Sequence, residues 1–174
     1  MRMQSLPLQM GGAIGSGAFG ALFLFTGLGK AADVPKFASD IAAYRLLPLG
    51  AAFPAAYSII IVECVLGIWL FSGAAAAFAG CVSATLLLLF AVAMGINVGR
   101  GRSNLACGCI PGVESHLSWA SVGRNIFLAF LVFMVGLCGQ PTSLILCAEG
   151  LLVGVTLLLL SVATISLTGN EVRG

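Results

Sequence analysis

The residues best suited to chemistry in this 174-residue chain are two cysteines separated by one glycine, Cys107-Gly108-Cys109. Gly108 has no Cβ, so the backbone there can curl enough for the two sulfurs to meet. A disulfide closing so small a ring is expected to be strained, and strained, exposed disulfides are the exchangeable ones. The pair therefore suits dithiol–disulfide exchange better than permanent cross-linking. Arg100 and Arg102 stand just upstream and would favour the thiolate if folded over it. Two other readings stay open. The cysteines are loop thiols of no consequence, or they are metal ligands with His116 as a third and Glu114 or water as a fourth.

Four further cysteines lie in apolar sequence: Cys64, Cys81, Cys138 and Cys147. Cys64 and Cys81 lie at similar distances from Ser72-Gly73, and Cys138 and Cys147 bracket Gly139-Gln140-Pro141. If both breaks are turns on one side of a membrane, these thiols cluster towards one face and Cys107 and Cys109 lie at the other. That order would suit a relay of reducing equivalents. The plainer alternative is cysteine as a small buried hydrophobe. Glu63 and Glu149 also stand within apolar runs, where a carboxylate is costly and marks a functional candidate or a hydrogen bond between helices. Either way each is expected to be protonated or turned inward to a polar partner. No phosphate loop, hydrolytic triad or zinc signature is written in the sequence, and no cofactor is implied.

The elements that must position these residues are set by composition. Hydrophobic residues make up 60% of the chain and charged ones 8%, against about a quarter charged in soluble domains. Charge is missing from residues 3–29, 46–62, 64–99, 125–148 and 150–170. A bilayer core needs about 20 apolar residues in a helix. An all-α membrane bundle follows, with about five crossings near 8–29, 50–71, 74–98, 119–137 and 142–167, or four if the first run is peripheral. That first run is longer than the apolar stretch of a cleaved signal peptide, so it is expected to be retained. Gly12, Ser16 and Gly20 give it one face of small residues for close helix packing. Trp119 suits the aromatic belt at the interface. The whole chain forms a single membrane domain.

Between the first two crossings, residues 30–48 hold five of the fourteen charges. Asp33 can cap a short helix with Pro35 early in it. Phe37, Ile41 and Tyr44 share one side of that helix, and Lys36, Asp40 and Arg45 lie elsewhere, the pattern of an amphipathic helix at the membrane surface. The other polar stretch, 99–118, carries the Cys-Gly-Cys pair. With five crossings, one side holds a single basic residue, Arg2. The other holds seven: Lys30, Lys36, Arg45, Arg100, Arg102, Arg124 and Arg173. The positive-inside rule makes the second side cytoplasmic, and with it the loop bearing Cys107 and Cys109. A net charge of +2 gives no footprint for nucleic acid.

Three stretches together resemble the methylamine-utilisation protein MauE family. They are Phe25-Thr26-Gly27-Leu28-Gly29-Lys30 leading into Phe37 and Tyr44-Arg45-Leu46-Leu47-Pro48; Glu63; and Ala106-Cys107-Gly108-Cys109 followed by Ser118-Trp119 and Arg124-Asn125. The likeness runs from about residue 20 to residue 130. It implies a multi-pass protein of the bacterial inner membrane that assists processing, export or disulfide maturation of the small subunit of periplasmic methylamine dehydrogenase, beside a thioredoxin-like partner. Cys107 and Cys109 are then the redox pair, with Glu63, Cys64, Cys81 and Arg124 as accessory candidates. The implied substrate is periplasmic, whereas the charge rule sends the pair to the cytoplasm. Either the pair takes electrons from a cytoplasmic reductant, or the orientation is reversed.

Two readings compete with a thiol–disulfide component: a non-catalytic membrane scaffold for maturation partners, and a small-solute transporter using Glu63 and Glu149. The orientation is directly testable. Reporter fusions after Gly139 and after Gly174 should signal opposite sides, with Gly139 periplasmic; a cytoplasmic signal at Gly139 would reject it.

Overall fold

The computed structural model describes residues 6–102 and 117–139, together with the helical pairs 148–149, 152–153 and 155–156. Five helices follow one another: α1 (Leu6–Ala31), α2 (Val34–Ala43), α3 (Ala52–Ser72), α4 (Ala76–Gly99) and α5 (Trp119–Cys138), with one 3-10 turn, Leu49–Ala51, before α3. Four stretches are long and apolar enough to cross a membrane: Met10–Ala31, Ala52–Ser72, Ala76–Gly99 and Trp119–Cys138. The fold is thus the expected all-α membrane bundle. The fifth expected crossing, 142–167, lies outside the described residues except for those three helical pairs.

The bundle is apolar outside and holds its polar groups inside. Leu28, Ile61, Ile68, Leu89 and Phe127 point outward, while Ser16, Thr26, Lys30, Glu63, Ser83, Asn97 and Asn125 are buried. Hydrocarbon makes no distinction between its own chains and a leucine, so apolar side chains gain little by turning inward. Close packing and polar contacts hold the helices instead. α1 packs against α3 and α5, α4 against α5, and α3 more lightly against α4, closing a ring. A central cluster of Phe19, Phe23, Leu66, Leu70, Leu87 and Val132 fills its middle.

The expected face of small residues on α1 is used at two levels. A Cβ at Gly12 would lie 1.9 Å from the carbonyl oxygen of Gly139, and one at Gly20 would lie 3.1 Å from that of Gly67. Gly80 of α4 and Gly136 of α5 meet backbone to backbone: a Cβ on Gly136 would come within 2.9 Å of Ala76 O and 3.1 Å of the Gly80 Cα.

The turn expected at Ser72-Gly73 is present, and α4 starts two residues later than expected, at Ala76. Gly73 (φ 68°) and Ala75 (φ 47°) both take left-handed backbone. Trp69 Nε1 donates to Ala74 O (2.7 Å), closing the turn. At the opposite end Asp33 caps α2 by accepting from Lys36 N (3.0 Å), and Pro35 stands in its first turn. Phe37 and Ala38 of α2 bury themselves against Ala56 and Ile60 of α3. Arg45 (φ 50°) then reverses the chain, at the cost of about 1–2 kcal/mol for a non-glycine residue.

The Gly80–Gly136 contact yields a prediction. Gly136→Val pushes a branched side chain into backbone and should cost about 1–3 kcal/mol or more, read as a lowered unfolding temperature in detergent. Gly123→Val meets nothing within 4 Å and should leave the temperature nearly unchanged.

Candidate functional site

The deepest charges belong to Lys30 and Glu63. Lys30 belongs to the last turn of α1, not to the polar surface connector expected after it, and is 7% exposed; Glu63 of α3 is 2% exposed. Lys30 Nζ donates to Glu63 Oε1 in a buried ion pair. The approach is made possible by Gly27, one turn before Lys30. A Cβ there would lie 3.2 Å from Glu63 Cβ and 2.9 Å from Cys64 Sγ. Two aromatic rings complete the surroundings of the ammonium: Phe37 at 5.2 Å and Phe90 at 5.0 Å. Both distances lie within the range of a cation–π attraction. Glu63 Oε2 is buried without a hydrogen bond among the described residues.

Beside this pair lies a cavity of about 160 Å³, lined by Lys30, Phe37, Tyr44, Phe90, Ala93 and Met94 among others. The shared side expected for Phe37, Ile41 and Tyr44 is the side of α2 that borders it. Asp40, expected elsewhere on the helix, borders it too. Burial pushes the Asp40 carboxyl above the ordinary carboxylate range, with Lys36 opposing the shift and Asp33 adding to it.

The expected redox pair, Cys107 and Cys109, lies outside the described residues, as do Glu114, His116 and Cys147. Both attachment points of that segment are described, and both are fixed. Upstream, α4 ends at Gly99, Gly101 takes a left-handed backbone (φ 72°), and Arg102 Nη1 donates to Ala43 O at the end of α2 (3.2 Å). Arg102 N also bonds Asn97 O (3.0 Å). Downstream, Leu117 is 1% exposed and packs with Ala91, Met94 and Val122. Ser118 then caps α5 by accepting from Ser121 N (3.3 Å). The segment therefore leaves and rejoins the bundle at the end where α2 and the cavity lie.

The remaining candidates are dispersed. Cys64, Cys81 and Cys138 are free thiols. Cys64 sits in the α1–α3 contact beside Gly27, and Cys138 lies next to Gly12 of α1. Cys81 faces outward from α4. Arg124 lies on the exposed side of α5, and Glu149 is exposed; among the described residues the expected inward partner is seen for Glu63. Among the described residues no group of acidic, cysteine or histidine side chains could hold a metal ion. The sequence reading missed Lys30 as a site residue. A signal was present, because Lys30 directly ends an apolar run.

Comparison with known proteins places this arrangement. Residues 8–139 match the family described as methylamine utilisation protein MauE. Relatives bearing that name include one from Paracoccus denitrificans, 36% identical over 152 residues, which cover 85% of this chain and 82% of the relative. Another, from Methylophilus methylotrophus, is 35% identical over 119 residues (64% and 62%). A third, from Paracoccus versutus, is 32% identical over 157 residues (88% and 84%). No solved structure matches the chain significantly.

The ion pair makes a specific thermodynamic demand. Lys30→Met or Glu63→Met alone leaves a buried charge without its partner and should cost about 3–5 kcal/mol, whereas replacing both should cost far less. Thermal unfolding of the two single variants and the double variant in detergent checks this. A double variant that loses as much stability as the two singles combined would show that the residues do not act as a pair.

Proposed function

Since the chain belongs to the MauE family of methylamine utilisation, we propose that it is an inner-membrane component in the maturation of methylamine dehydrogenase, exchanging electrons through Cys107 and Cys109. The substrate is the small subunit of that enzyme, and a thioredoxin-like protein is the partner. What supports the reading is the anchoring of the segment between Arg102 and Leu117. The two residues that flank the segment carrying the dithiol are held on the same end of the bundle. Exchange needs access to a partner, because it passes through a mixed disulfide in which one thiol attacks and a second resolves. The non-catalytic scaffold remains the second reading, favoured by the extent of purely structural packing in the bundle.

Substitution of the cysteines separates the two. Both cysteines belong to the polar stretch between two spans rather than to a span, so Cys107→Ser and Cys109→Ser should leave insertion intact. The single variant that keeps the attacking thiol and lacks the resolving one should trap a partner in a covalent adduct that migrates as a heavier band on a non-reducing gel and vanishes on reduction. Replacing both should abolish the adduct and impair dehydrogenase maturation at normal membrane abundance. Full dehydrogenase activity in the double variant would favour the scaffold; a loss of abundance would make the pair structural.

A further inference from the structure

The cavity beside Lys30 has no part in dithiol exchange as described, yet its chemistry is narrowly defined. Its volume, about 160 Å³, is close to that of an engineered cavity of about 150 Å³ that takes up benzene, so it has room for one six-membered ring, and its open side leaves a way out for a substituent. Its walls are almost entirely apolar, with Phe37 and Phe90 as aromatic faces and Ala93 and Met94 from α4. Charge disfavours an anion, because Glu63 already neutralises the Lys30 ammonium and the only other ionisable wall with a formal charge is the carboxyl of Asp40. A hydrogen-bond acceptor is favoured, because an ammonium carries three donors and Glu63 Oε1 takes one of them. The fitting ligand is neutral, one ring wide, and bears a carbonyl oxygen. Residence in the membrane adds an apolar tail.

We propose that this cavity binds the headgroup of a membrane quinone, with a ring carbonyl accepting from Lys30 and the ring lying against Phe37 and Phe90. Its position links it to the loop anchor: Arg102 is bonded to Ala43 O, and the next residue, Tyr44, lines the cavity. Cys107 follows Arg102 by five residues, so covalent reach alone holds it within about 18 Å of that anchor. The electron step rests on the dithiol reading above. Two S–H bonds break and one S–S bond forms, and the two electrons and two protons pass to the quinone, which leaves as the quinol.

The full chain in phosphatidylcholine nanodiscs, titrated with a benzoquinone bearing a ten-carbon tail, tests the proposal through ligand-linked thermal stabilisation. Saturable stabilisation is expected for the natural chain and equally for the Cys107→Ser/Cys109→Ser variant. Ala93→Phe, which fills the cavity, should weaken it at least about tenfold. Val92→Phe, one residue earlier and facing outward, should not. Lys30→Met/Glu63→Met keeps the bundle neutral and should also weaken binding about tenfold through the lost donor. An unchanged response in Ala93→Phe, a response that does not saturate, or an equal response to n-decanol would overturn the ring site. Pre-reduced protein should form one quinol per dithiol, and the double serine variant none. Saturable binding without quinol from the reduced natural chain would uphold the ring site while overturning the electron step and the dithiol reading with it.

Discussion

Much of this architecture depends on the requirement that charge inside a hydrocarbon-facing bundle be matched. A charged side chain buried inside a membrane bundle is costly unless it is paired. Lys30 and Glu63 answer that cost with each other, and their meeting fixes both the depth and the rotation of α1 against α3. Gly27 fits that approach, because a Cβ there would crowd Cys64 Sγ and Glu63 Cβ. So does the placement of α2. Its Phe37 ring lies over the ammonium while the same helix packs onto α3, covering the pair from the end at which water would otherwise enter.

The architecture was legible in the sequence to the extent that it depends on hydrophobic run length. Runs without charge gave the four described spans to within a few residues, and Asp33 and Pro35 gave the start of α2. The start of α4 was displaced because the turn needs Ala75 as well as Gly73 in left-handed backbone, and nothing in an alanine announces that. Lys30 was misplaced for a different reason. A charge at the end of an apolar run reads as the beginning of a polar connector unless its partner is known, and the partner lies thirty-three residues away on another helix. Asp40 was misassigned because helical phase alone does not say that α3 and α4 supply the opposite wall. The cysteines in the spans illustrate the same limit: depth along a helix could be counted, but facing could not, and Cys64, Cys81 and Cys138 look in three directions.

Two candidate sites thus share one end of the bundle without being the same element. The segment carrying Cys107 and Cys109 is attached through Arg102 and Leu117. The ion pair and its cavity are built from α1, α2, α3 and α4. They share structural members: Met94 lines the cavity and packs with Leu117, and Ala43, which receives Arg102, precedes the cavity residue Tyr44. A rearrangement at either would be felt at the other through atoms in van der Waals contact, with no long path required.

The ring of helices also has an order in time. Chains enter a membrane from the N-terminus, and α1 and α3 can pair as soon as α3 has emerged. The partner of the Lys30 ammonium thus precedes α4 and α5 in the chain. α4 and α5 form the second pair, sealed where Gly80 meets Gly136, and the ring closes only when Gly139 reaches Gly12 at the opposite end of the first helix. Among the described helices, chain order therefore leaves the α1–α5 seam as the last of these contacts that can form.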